Sequence, residues 1–104
     1  MATPANAISS RKLKLEDILD LRAYERIREE SRATSIETKR KRRIGLGTVV
    51  TVMFENRQTM WYQIQEMIRS EKSMHDEQVM EELHAYNPLI PEPGQLSATL
   101  FIEL

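Results

Sequence analysis

The chain has 104 residues, 40% of them hydrophobic, which is enough for one small domain and too little for two independent cores. Its net charge of -1 offers nucleic acid no broad attractive field, and the absence of cysteine removes disulfides, thiolate zinc sites, iron-sulfur ligation and cysteine nucleophiles, in keeping with a cytoplasmic setting. The longest apolar runs, "VVTVMF" and "ATLFI", fall far short of the roughly 20 residues that a membrane-spanning helix needs.

The opening "MATPANAISSRKLK" has no apolar central segment of the kind a secretory signal carries, and residues 1–12 read as a mobile tail. "LKLEDILDL", Leu13 to Leu21, spaces Leu15, Ile18, Leu19 and Leu21 for a short docking helix, with Glu16 and Asp17 suited to its first turn. Helix formers then run from Arg22 to about Arg43, but the apolar stripe Tyr24, Ile27, Ser31, Thr34 fades after two turns, which predicts firm packing for the first half alone.

"RIGLGTVVTVMFEN" changes the period: β-branched residues and Gly45 and Gly47 predict one short and one longer strand, the second central and covered on both faces. Asn56 is a good N-cap for the following helix, and Ser73 with Asp76 resembles a capping box for the next one. That helix, roughly Asp76 to Tyr86, aligns Val79, Met80, Leu83 and Tyr86 before Asn87-Pro88 stops it. "PLIPEPG" is extended with a turn at Pro93-Gly94, and "QLSATLFIEL" alternates Leu96, Ala98, Leu100, Ile102 and Leu104 with Ser97, Thr99 and Glu103, a strand with one buried side. The fold class is therefore α+β, in the order helix, strand, strand, helix, helix, strand, with one domain over residues 13–104.

The blocks Phe54-Glu55-Asn56-Arg57, Gln63-Ile64-Gln65-Glu66-Met67, Arg69, Glu71 and Tyr86-Asn87-Pro88-Leu89, in that order, resemble a bacterial family known as domain of unknown function 3501. The resemblance runs from about Leu13 to the C-terminus. It implies a soluble protein in the setting of redox or oxidative-stress systems, near rubrerythrin-like and iron-sulfur oxidoreductase proteins, and a family domain of which residues 13–104 form the N-terminal part. Ser31 and Thr34 fall where relatives are more apolar, and His75 and His84 lie outside the family pattern.

The resemblance is densest on the helix after Asn56. At about 100° per residue, Met60, Ile64, Met67 and Ile68 form its apolar side, with Trp61 at the margin, while Tyr62, Gln65, Glu66 and Arg69 lie opposite. That polar side reads either as a solvated face or as a partner surface built on Gln65, Glu66 and Arg69. Glu71 projects among Met60, Ile64 and Met67, where a carboxylate needs a partner, so it is either a frayed helix end or a paired buried group. Arg57 projects to the same side at the other end of the helix.

Glu81 and His84 form a Glu-x-x-His, the spacing of di-iron carboxylate sites, but such sites need two of these motifs and two further glutamates. Lys39-Arg40-Lys41-Arg42-Arg43 suits phosphate, yet also suits a helix C-terminus, and it has no interleaved aromatics for stacking on nucleic acid. Neither a phosphate-binding glycine loop nor a triad context is present, and no motif names a cofactor.

Two readings follow. The first is a non-catalytic binding or accessory module with Arg57, Gln65, Glu66, Arg69, Glu71 and Asn87 at its surface. The second is a small metal-dependent redox protein or enzyme using Glu66, Glu71, Glu81 and His84, with Glu81 and His84 as the metal ligands. Three short strands leave open edges, which predicts a homodimer or a larger protein partner.

Overall fold

The computed structural model describes residues 11–103. The mobile tail expected at the N-terminus lies outside them except for Arg11 and Lys12, which begin a strap, residues 11–20, lying across the helices. Leu13 to Leu21 does not form the expected docking helix. One 3-10 turn at Leu15–Asp17 is all that winds, closed by the Lys14 N–H donating to Asp17 Oδ2 at 2.8 Å. The remainder stays extended because the peptide groups of Leu13 and Leu19 bond to side chains from other elements.

Asp20 ends the strap and caps helix α1, Leu21–Arg40, accepting the Ala23 N–H at 2.8 Å. The buried line on α1 is Tyr24, Ser31 and Ser35, with half-buried Arg28 between, at helical spacings of three and four. Ile27 and Thr34, expected on the stripe, face outward. The second half of α1 is thus packed after all, through serines whose small side chains leave room for a close neighbour.

A hairpin follows. Strand β1, Arg43–Leu46, turns at Gly47, whose φ of 75° suits a residue without Cβ, into β2, Val50–Phe54. Helix α2, Arg57–Glu71, starts at Asn56, where a reciprocal box forms: the Thr59 N–H donates to Asn56 Oδ1 at 2.8 Å and the Asn56 N–H to Thr59 Oγ1 at 2.9 Å. It ends at Lys72 in the left-handed conformation, and the Ser73 N–H returns to the Ile68 carbonyl at 3.0 Å. Ser73 therefore closes α2. The N-cap of α3, Asp76–Tyr86, is His75, whose N–H donates to Gln78 Oε1 at 3.3 Å. Pro88 stops α3 in a 3-10 turn, Asn87–Leu89, and Pro93-Gly94 makes the expected turn, with the Gln95 N–H on the Glu92 carbonyl at 2.9 Å and Gly94 at φ 85°.

Strand β3, Ala98–Ile102, completes an antiparallel sheet in the order β1-β2-β3. The register places Ile44, Val52 and Leu100 in one row across the strands and Leu46, Val50 and Ile102 in another, on the same face; Met53 and Thr99 lie on the opposite face. Met53 is buried, whereas Leu46, Leu100 and Ile102 are 55%, 58% and 59% exposed. The central place of β2 is as expected, but its cover is one-sided. The apolar alternation of the last strand, read as a buried side, faces outward.

The main core lies elsewhere. Leu13, Met60, Ile64, Ile68, Val79, Leu83 and Ile90 pack together between the strap, α2, α3 and the segment after Pro88. Among the described residues, no helix is long and apolar enough to cross a membrane.

Candidate functional site: the clamp on the strap

The polar side chains of α2 turn inward onto the strap. Gln65, read as part of either a solvated face or a partner surface, is 1% exposed. Its Oε1 accepts the Leu19 N–H at 2.7 Å, and its Nε2 donates to the Leu19 carbonyl at 3.2 Å. A side-chain amide carries the same donor and acceptor as a peptide unit, so Gln65 pairs with Leu19 as a neighbouring strand would. Asn87 repeats the device at the other end of the strap, with the Leu13 N–H on Oδ1 at 2.7 Å and Nδ2 on the Leu13 carbonyl at 2.8 Å.

Between these clamps, Trp61 Nε1 donates to the Asp17 carbonyl at 3.0 Å. Arg57 forms an ion pair with the Asp17 carboxylate at 3.1 Å and donates through Nε to the Arg11 carbonyl at 3.1 Å. Lys12 Nζ reaches the Ile90 carbonyl at 2.6 Å and Glu92 at 3.4 Å. Arg57 at the start of α2 and Glu71 at its end thus play unrelated parts, and Arg57 belongs to the strap.

Glu66 looks the other way, to α1. Arg28 grips both of its oxygens at 3.0 Å, and the Tyr24 hydroxyl donates to Oε2 at 2.6 Å. These bonds, led by those of Arg28, outweigh the cost of partial burial and hold the Glu66 carboxyl below its usual range. Burial, and then the bond to Glu66, push the Tyr24 phenol well above its usual range. Tyr62, four residues before Glu66, is likewise pushed up, first by burial and then by the Glu66 charge. Tyr24 also meets Trp61 edge to face, with ring centroids 5.9 Å apart, joining this cluster to the clamp. Arg69 pairs with Glu25 at 2.9 Å on the outside.

Glu71 is exposed at the last position of α2, so its burial on the apolar side does not occur; the buried part of that face ends at Ile68, one turn earlier. Glu81 and His84 lie on the outer side of α3, beside Asp76, Glu77 and Met80. Glu66, turned to α1, is not in that group. Among the described residues, no cluster of three or more Asp, Glu, His or Cys could hold a metal ion. Glu82, also on α3, has its carboxyl pushed up by burial and then by the Glu71 and Glu81 charges.

Sequence reasoning passed over Glu55. It is 4% exposed, and its two oxygens accept the hydroxyls of Thr59, at 2.7 Å, and of Thr99. Its N–H donates to the Ser97 carbonyl at 2.8 Å. Arg42, from the basic run, donates to the carbonyls of Phe54 at 2.7 Å and Glu55 at 3.3 Å. Glu55 thus ties α2 to β3, and Arg42 ties the end of α1 to β2. The block containing Glu55 was visible in the sequence, but its partner Thr99 lies 44 residues away and no spacing links them.

Where the strap passes α2 and α3 it leaves a cavity of about 420 Å³, open to solvent along one side and lined by Leu15, Ile18, Leu21, Ile68, Met74 and Val79, with Asp20, Arg22 and Asp76 also lining it. The Gln65 clamp holds Leu19 in the wall of this groove, and the Asn87 clamp holds the strap at Leu13, before the wall begins.

The arrangement defines a small α+β domain in which a three-stranded antiparallel sheet is joined to a helical body closed by an extended strap. The chain belongs to the family described as Protein of unknown function (DUF3501), whose model matches residues 12–104. It is similar to a protein of unknown function from Burkholderia pseudomallei K96243, whose crystal structure superimposes with a TM-score of 0.86 at 37% identity. That match covers 88% of this chain and 52% of the other, so it spans about half the length of the solved relative. No curated protein matches the chain.

Proposed function

We propose that the domain is a non-catalytic binding or accessory module that receives an apolar side chain of a partner polypeptide in the groove beside the strap. The observation that supports this is the use made of the polar motif. Gln65, Trp61, Arg57 and Asn87 are all bonded to the strap, and the strap they hold supplies Leu15, Ile18 and Leu19 to an apolar groove with charged groups at its margin. A volume of about 420 Å³ lies in the range of pockets that take small organic groups, roughly 300 to 1,000 Å³. Its open side suits an anchor that remains attached to a larger partner, and Asp20, Arg22 and Asp76 supply orientation.

The test is a titration of methyl-labelled protein with N-acetyl-tryptophan amide or N-acetyl-leucine amide, with free indole as the comparison. The peptide-like probes are expected to move the methyl signals of Leu15, Ile68, Met74 and Val79 more than indole does. Met74, 79% exposed at the groove, can be changed to Glu without disturbing the core; this change should weaken the effect several-fold at an unchanged melting temperature. Signals at those methyls that stay still for every probe would refute the reading.

A further inference from the structure

Among the described residues, nothing covers the apolar face of the sheet turned away from Met53. Ile44, Leu46, Leu100 and Ile102 stand on it half exposed or more, with Val50, Val52 and Phe54 between them. Among the described residues, Leu96, 84% exposed, extends the apolar surface just before β3. Soluble domains seldom leave a contiguous apolar patch of more than a few hundred Å² without a use for it. Period-two apolar alternation in β3 is the pattern of a strand whose face is covered, and here that face meets solvent.

Two observations choose the occupant. The first is area: three strands of at most five residues present roughly 15 Å by 16 Å, a few hundred Å², against the ~800 Å² that each partner contributes to a standard interface. Such a face is too small to hold a free second copy, but adequate for a segment on the same polypeptide, which does not lose its translational freedom again on docking. The second is length: the relative that shares this fold at 37% identity has nearly half of its chain outside the match.

We propose that the Ile44, Leu46, Val50, Val52, Leu100, Ile102 face is the docking platform for the remainder of a family-length polypeptide, represented by the part of the Burkholderia protein that lies outside the match. The occupant is a segment with an apolar side against the sheet and a polar side to water.

The sequence contains no cysteine, so single thiols report cleanly. Leu46→Cys and Leu100→Cys are to be placed both in this chain and in a chimera in which this chain replaces the matched part of the Burkholderia protein, with Arg32→Cys on the exposed side of α1 as control. Alkylation is read peptide by peptide in mass spectra. Both sheet thiols should react as fast as the control in the 104-residue chain and at least 100-fold more slowly in the chimera, while the control reacts equally in the two. Equal rates in chain and chimera would overturn the proposal. So would slow reaction in the 104-residue chain, whether it deepens with concentration, which assigns the face to a second copy, or does not, which shows it covered already. A measurement independent of the chimera is the melting temperature of Leu46→Lys in the 104-residue chain. It should equal that of the parent, and a fall of 10 °C or more would show Leu46 packed and the platform absent.

Discussion

The helical body and the sheet solve the same problem in opposite ways. In the body, an extended strap that cannot satisfy its own peptide groups is paired by side-chain amides from α2 and α3, and its leucines close a core in which Leu13, Ile64, Ile68 and Ile90 are almost wholly buried. In the sheet, β2 is paired on both sides and β1 and β3 on their inner sides, so the ladder forms between backbones alone, yet half of the apolar side chains are left in water. Hydrogen bonding and burial are thus separable: the strap has both through distant partners, and the sheet has the first without the second. Stability should accordingly be concentrated in the body, with Glu55 and Arg42 as the joint.

The largest expected effect comes from the clamp. Gln65→Ala leaves the Leu19 N–H and carbonyl without their partner, and an unsatisfied buried group costs about 1–3 kcal/mol, so urea denaturation should show a loss of roughly 2–4 kcal/mol. A loss under 1 kcal/mol would mean that the strap is held by its leucines alone. Glu55→Ala should cost less, about 1–3 kcal/mol, and unevenly, since it strands the Thr99 hydroxyl while the Thr59 hydroxyl keeps the Asn56 carbonyl at 2.9 Å. Amide exchange should accelerate in β3 while the middle of α2 keeps its protection, and uniform acceleration would erase the division into two regions.

The Glu66 cluster sharpens the comparison through pH. A carboxyl held below its ordinary value of 4.5 adds stability that is present above that value and is lost as pH falls through the lower, folded one. Wild-type stability should therefore drop on acidification below about pH 4.5, and Glu66→Gln should flatten this part of the profile. At the alkaline end the raised Tyr24 phenol adds stability that is full below its unfolded value of 10.0 and declines above it, and Tyr24→Phe should shrink this limb to the part that the raised Tyr62 contributes. The smallest effect is expected for Glu71→Ala, within about 0.5 kcal/mol, because the side chain is exposed at a helix end. A loss beyond 1 kcal/mol would restore Glu71 to a paired role.

Local chemistry accounts for what could be read in advance. Asn56, Pro88, Gly47 and Pro93-Gly94 act within a few residues of themselves, so their cap, stop and turns follow from residue type. The α+β class and the element order follow from hydrophobic period. The direction in which a helix face points does not, since Gln65 and Glu66 are neighbours on α2 and serve the strap and α1 respectively. Apolar period says that a side chain prefers burial, and it says nothing of whether a cover is at hand, which is why Leu100 and Ile102 were expected inside and stand outside.

By itself, the sequence determined the elements, their order, most of their ends and the family, because those depend on residue type, spacing and motif over short stretches. Only the tertiary structure decided that residues 11–20 form a clamped strap, that Glu55 is a joint, that Glu71, Glu81 and His84 lie outside, and that among the described residues one sheet face is uncovered. Each of these is settled by a contact, or its lack, between residues tens of positions apart, where the free energy depends on which surfaces meet and not on which residues adjoin in the chain.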